Sequence, residues 1–153
     1  MPDPTIQAAR DRFEEELADL RDAIDGLDAD ALAWRPPAED SNPITVLATH
    51  GLHSTRWWVT IARGAELPDR DRPSEFVAEV GSAEQLTAFV DAMAEDCRKR
   101  LDPDEPFDPG VVRTVPDDDP VTAVWALLHA LEHLREHAAQ AQLTRQLWDA
   151  GNR

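Results

Sequence analysis

The chain has 153 residues, 42% of them apolar and 30% charged, which fits one soluble globular domain spanning residues 1–153 and argues against wholesale disorder. Its formal charge of -16, from 15 basic against 31 acidic residues, would repel a phosphate backbone or an anionic membrane, so neither nucleic acid nor membrane is expected as a partner. Cys97 is the single cysteine, which excludes an internal disulfide and a thiolate metal cluster.

No stretch approaches the roughly 18 to 20 uninterrupted apolar residues of a membrane span. The opening MPDPTIQAARDRFEEEL lacks the basic start and apolar core of a secretory leader, so a cytoplasmic protein is expected.

Asp3-Pro4 predicts the start of a first helix, an acidic cap followed by proline where its missing N–H costs nothing. Ile6, Phe13, Leu17, Leu20, Ile24 and Leu27 mark its apolar face, and Gly26 lies near its end. A short helical turn around Leu32 and Trp34 follows, then a double-proline break at Pro36-Pro37. Asn42-Pro43 repeats the cap-and-proline start, and Val46, Leu47, His50, Trp57, Trp58 and Ile61 have helical spacing up to about Arg63.

Residues 64–80 carry prolines and many charges and read as a connector with some local structure around Phe76 and Val80. Ser82 and Gln85 form a capping-box start for a third helix, with Leu86, Phe89, Val90, Met93 and Cys97 on its apolar face down to Leu101. Val111 to Val115 reads as loop, because a single short extended segment has nothing to pair with. Asp119-Pro120 predicts the start of a long fourth helix ending near Ala150-Gly151. The expected fold is all-α, a four-helix bundle whose long middle connector permits a crossover.

The five histidines occur only at 50, 53, 129, 133 and 137, on the second and fourth helices, at spacings of three or four within each helix. Side chains so spaced share one helical face, so His133 and His137 can aim both imidazoles at one point. His50 falls in the apolar register of its helix, where a buried imidazole needs a partner. His50, His133 and His137 are therefore the expected divalent-metal ligands, and His53 and His129 the auxiliary residues around them. Three imidazoles suit zinc first, with nickel or iron also compatible.

Two overlapping H-x-x-E-H matches, 129–133 and 133–137, resemble a peptidase signature, but a helix rich in Glu and His produces that short pattern readily. No phosphate-binding, dinucleotide or nucleophile-elbow motif is present. Cys97 lies on an apolar helical face and reads as core rather than nucleophile.

Three stretches, AWRPPAEDSNPITVLATH (33–50), HGLHSTRWW (50–58) and HALEHLREHAAQAQLTRQL (129–147), resemble the DinB-like metal-binding four-helix bundles. That family includes relatives of the mycothiol-dependent maleylpyruvate isomerases and thiol S-transferases. Ala139 stands where family members commonly have glycine, and Thr55 where an acidic residue is common.

The resemblance implies the same triad, with an open coordination position. It also implies a metal-dependent S-transferase or isomerase joining a low-molecular-weight thiol, such as mycothiol or bacillithiol, to an electrophile. Arg56 and Arg135 are the candidates for holding a carboxylate or sugar-bearing thiol. Lys99 is the sole lysine, an arginine bias that fits a GC-rich genome and so favours mycothiol. Hydrolysis of a small amide or ester by a metal-activated water is an alternative, as is a non-catalytic stress-associated module. Trp57, Trp58, Trp125 and Trp148 can line a pocket or a subunit interface, and a homodimer is the expected assembly.

Overall fold

The computed structural model describes residues 1–151. Its four long helices are α1 (Pro4–Ile24), α3 (Ile44–Arg63), α5 (Ala83–Arg100) and α6 (Ala123–Gly151); α2 (Ala29–Ala33) and α4 (Arg72–Glu75) are short. The starts of α1 and α5 are set by side-chain caps. Asp3 accepts hydrogen bonds from the backbone N–H groups of Thr5 and Ile6, and Ser82 Oγ accepts from that of Gln85. Gln85 departs from the reciprocal capping box: its Oε1 accepts from Gly81 N rather than from the cap residue.

Around the bundle, α6 packs against α1 and most extensively against α3, while α5 closes the ring by touching α3 and α1. The helices that follow one another in sequence, α1 then α3, are therefore diagonal rather than neighbouring. The chain crosses the end of the bundle through α2, which Thr45 ties down by donating its hydroxyl hydrogen to Leu32 O. The core is filled by Phe13, Leu17 and Leu20 of α1, Leu52 and Val59 of α3, Leu86 and Val90 of α5, and Leu127 and Leu134 of α6, all shielded from water. The fold is all-α in its load of structure, as the periodicities predict.

Two boundaries differ from the sequence reading. Val112–Arg113 (β1) pairs antiparallel with Val121–Thr122 (β2), Val112 opposite Thr122 and Arg113 opposite Val121. The partner that Val111–Val115 lacked is thus the segment assigned to the start of the fourth helix, which instead begins at Ala123. The hairpin is held in place from outside, because Arg113 Nε donates to Ala62 O and its guanidinium lies over Gly64. Gly64 caps α3 at φ 66, a left-handed conformation that glycine adopts without steric cost. In the connector, α4 forms just ahead of Phe76, with Asp71 capping Ser74 N and proline in the first turn. No helix among the described residues is long and apolar enough to cross a membrane.

Candidate metal centre

The site forms where α3 and α6 come closest. Gly51 lies at this approach: a Cβ placed on it would lie 3.4 Å from the Cβ of His137 and 3.6 Å from Leu134 Cδ1, in ordinary contact. One residue earlier, His50 is 6% exposed and points toward α6, where His133 and His137 stand one turn apart. The three rings form a nearly equilateral cluster, with centroids separated by 5.0 Å (His50–His133), 5.1 Å (His50–His137) and 4.4 Å (His133–His137). One ring nitrogen from each lies within 4.8 Å of the other two.

Two second contacts orient these rings. His50 Nδ1 is 2.7 Å from Glu75 Oε2, and Glu75 in turn accepts from Arg70 Nε at 2.7 Å and Nη2 at 3.0 Å. Burial favours the neutral acid at Glu75. The hydrogen bonds from His50 and Arg70, and the charge of Arg70, outweigh that and hold its pKa down at about 2. An ionised Glu75 can only accept, so His50 donates through Nδ1 and keeps the Nε2 lone pair free. At His137 the same is done by Gln140, whose Oε1 lies 2.9 Å from Nδ1, leaving Nε2 at 3.3 Å from Nε2 of His133.

These donors fit a metal ion. Nitrogens about 2.0–2.1 Å from a tetrahedral ion stand about 3.3 Å apart along each edge, and the His133–His137 pair has that spacing. Burial, followed by the neighbouring imidazoles, pushes His133 down to about 3, and burial also lowers His137. Both are therefore neutral near pH 7, the form that ligates. Three imidazoles with no thiolate match borderline divalent ions such as zinc, nickel and iron, and leave further coordination positions open.

Cavities lie on two sides of the cluster. One, of about 330 Å³, is bounded by His50 and His133 together with Trp57, Trp58, Arg70 and Arg72. Another, of about 460 Å³, touches His137 and Gln140 and is walled by Leu47, Leu143 and Leu147. A third, also about 460 Å³, lies between α2 and residues 76–80 and touches none of the three histidines.

The other sequence candidates are placed elsewhere. His53 faces α5, with its ring 5.7 Å from Phe89, and burial lowers its pKa. His129 stacks on Trp125 at 4.9 Å and meets Trp58 edge-on at 4.7 Å, which makes it a wall of the smaller cavity. Arg56 lies 3.6 Å from Asp96 of α5 and lines neither cavity beside the triad. Arg135 pairs with Asp19 of α1, since its position on α6 turns it toward α1 and away from the α3 face that carries the histidines. The arginines beside the triad are Arg70 and Arg72, from the connector. Glu132 and Glu136 are exposed, so neither glutamate of the H-x-x-E-H pattern stands inside the cluster as a general base. Cys97 is fully buried, and its thiol is pushed up by burial to about 12. The sequence reading missed Glu75; its only signal was the Asp71 and Pro73 pair that starts α4.

Similarity to known proteins agrees with this architecture. No curated protein is significantly similar in sequence to the chain. Among solved structures, one described as a conserved protein from Enterococcus faecalis superposes with a TM-score of 0.74 at 16% identity, covering 96% of this chain and 98% of that one. At that identity the likeness concerns the fold alone. The sequence profile of the DinB superfamily matches residues 12–141, a span that contains His50, His133 and His137, and the chain belongs to the DinB superfamily.

Proposed function

We propose that the protein is a metal-dependent S-transferase, or a related isomerase, that joins a low-molecular-weight thiol such as mycothiol to a small electrophile. The observation that carries this reading is the convergence of three imidazoles, two of them held neutral, between two separate cavities. A reaction between two small molecules needs space on both sides of the reacting centre, and a single-substrate hydrolase has less need of it.

A divalent ion in the triad would supply Lewis acidity, lowering the pKa of a thiol toward neutrality. The residues do the rest. Glu75 fixes the tautomer of His50, Gln140 that of His137, and both keep the Nε2 lone pairs aimed inward. Trp57 and Trp58 on one side and Leu47 on the other supply apolar wall against which the body of a substrate can pack. In the transfer, the S–H bond breaks and its proton passes to solvent. Sulfur forms a bond to the electrophilic carbon, and the leaving group departs with the electron pair of the bond that breaks.

The reading is tested by incubating zinc-loaded protein with mycothiol and 1-chloro-2,4-dinitrobenzene and following conjugate release. Turnover that needs both zinc and thiol and disappears in His133→Ala supports it. Turnover of an ester without thiol would replace it with hydrolysis, and absence of turnover with any thiol would reduce the site to metal binding.

A further inference from the structure

We infer that the smaller cavity is a subsite for a planar aromatic carboxylate, with Arg72 as the residue that selects the anion. This deepens the proposed function by naming the class of electrophile, and it rests on that reading only for what happens after binding.

The cavity combines two kinds of wall. Trp57, Trp58 and His129 present ring surfaces, and the rings are fixed: His129 is stacked between Trp125 (4.9 Å, 12° between planes) and the edge of Trp58, while Arg70 lies over Trp57 at 5.8 Å. Such surfaces, set before any ligand arrives, favour a flat unsaturated body over a branched aliphatic one.

The charged lining has a different balance from the rest of the chain. Arg70 is already neutralised by Glu75 through two hydrogen bonds. Arg72 makes no ion pair among the described residues; its guanidinium rests over Phe76 at 5.4 Å and leaves its N–H groups open. Asp118 is the one opposing carboxylate in the lining, and it does not pair with Arg72. A guanidinium with open donors recognises a carboxylate through two parallel hydrogen bonds, which an uncharged amide cannot reproduce. The triad imidazoles bring no negative charge of their own, so a dication held there adds to the attraction for an anion. A carboxylate seated on Arg72 would share its cavity with the two tryptophans and with His50 and His133.

The test is calorimetric titration of benzoate, benzamide and acetate into zinc-loaded and metal-free protein, for the wild type, Arg72→Gln and Asp118→Asn. Both positions are exposed, so the variants should fold, and zinc content is measured on each. The expected result is that benzoate binds about tenfold tighter than either benzamide or acetate, a difference of about 1.4 kcal/mol. Arg72→Gln should remove about tenfold of the benzoate affinity with zinc content unchanged, and Asp118→Asn should tighten it. Equal affinity for benzoate and benzamide, or benzoate binding that depends on zinc but not on Arg72, would overturn the subsite. Failure of thiol transfer alongside Arg72-dependent benzoate binding would instead count against the proposed reaction, so the two outcomes separate.

Discussion

Glu75 Oε2 lies 2.7 Å from His50 Nδ1, joining a four-residue helix in the connector to the deepest histidine of the cluster. With Arg70 completing the chain, the carboxylate fixes which nitrogen of His50 faces the other two histidines. Carboxylates that orient a ligand histidine from behind typically change metal affinity by about 10–100-fold when removed. Glu75→Gln is therefore expected to weaken zinc binding by that range while the protein stays helical, as read by competition with a chromophoric chelator. Unchanged affinity would show that packing alone orients His50.

Gly51 lies where α3 meets His137 and Leu134 of α6. A Cβ added there would meet His137 Cβ at 3.4 Å and Leu134 Cδ1 at 3.6 Å, ordinary contact distances that leave room for a methyl group and nothing larger. Gly51→Ala should retain zinc, because the added methyl fits at the edge of contact. Gly51→Leu should push α6 outward, costing about 1–3 kcal/mol of stability and at least tenfold in zinc affinity. Thermal melts and chelator competition on the pair would check both.

Glu16 gives a pH dependence that is separate from the site. It is 3% exposed, one carboxylate oxygen has no hydrogen-bond partner, and burial raises its pKa from 4.5 to about 7 against the opposing pull of Arg12 and Arg135. The folded state thus holds the proton more tightly than the unfolded one. The resulting stabilisation is complete below the unfolded pKa of 4.5 and is lost as pH rises through about 7. Glu16→Gln should exceed the wild type in stability by about 1–3 kcal/mol near pH 8, an advantage that shrinks as pH falls toward 4.5 and is gone below it, in urea denaturation.

Cys97 is fully buried with its thiol at about 12, so almost no thiolate exists near pH 8. Iodoacetamide should leave the folded protein unmodified and label it fully in urea, as counted by intact mass. Rapid labelling of the folded protein would indicate that α5 opens locally.

Much of this arrangement was legible in the sequence, for reasons specific to particular residues. The triad could be read because His133 and His137 share a helical face and His50 lies in an apolar register, two properties that depend only on spacing. Glu75 could not be read, because its contact spans 25 residues and a connector whose path no local pattern fixes. The β1–β2 hairpin escaped for a similar reason: two residues per strand carry no periodicity, and Arg113 anchors it on Ala62 from 51 positions away. Arg56 and Arg135 enter through the family resemblance, and a residue at i±2 or i+6 from a triad histidine points to another face of its helix. They meet Asp96 and Asp19 instead.

The most direct test of the central claim is elemental analysis of untagged protein, as purified and after zinc addition, for the wild type, His133→Ala and His129→Ala. Three converging imidazoles predict about one divalent ion per chain, lost in His133→Ala and kept in His129→Ala, because His129 stacks on Trp125 and lies outside the group of three whose ring nitrogens converge. Wild-type protein that stays metal-free and refuses added zinc, or equal loss in both variants, would contradict the account.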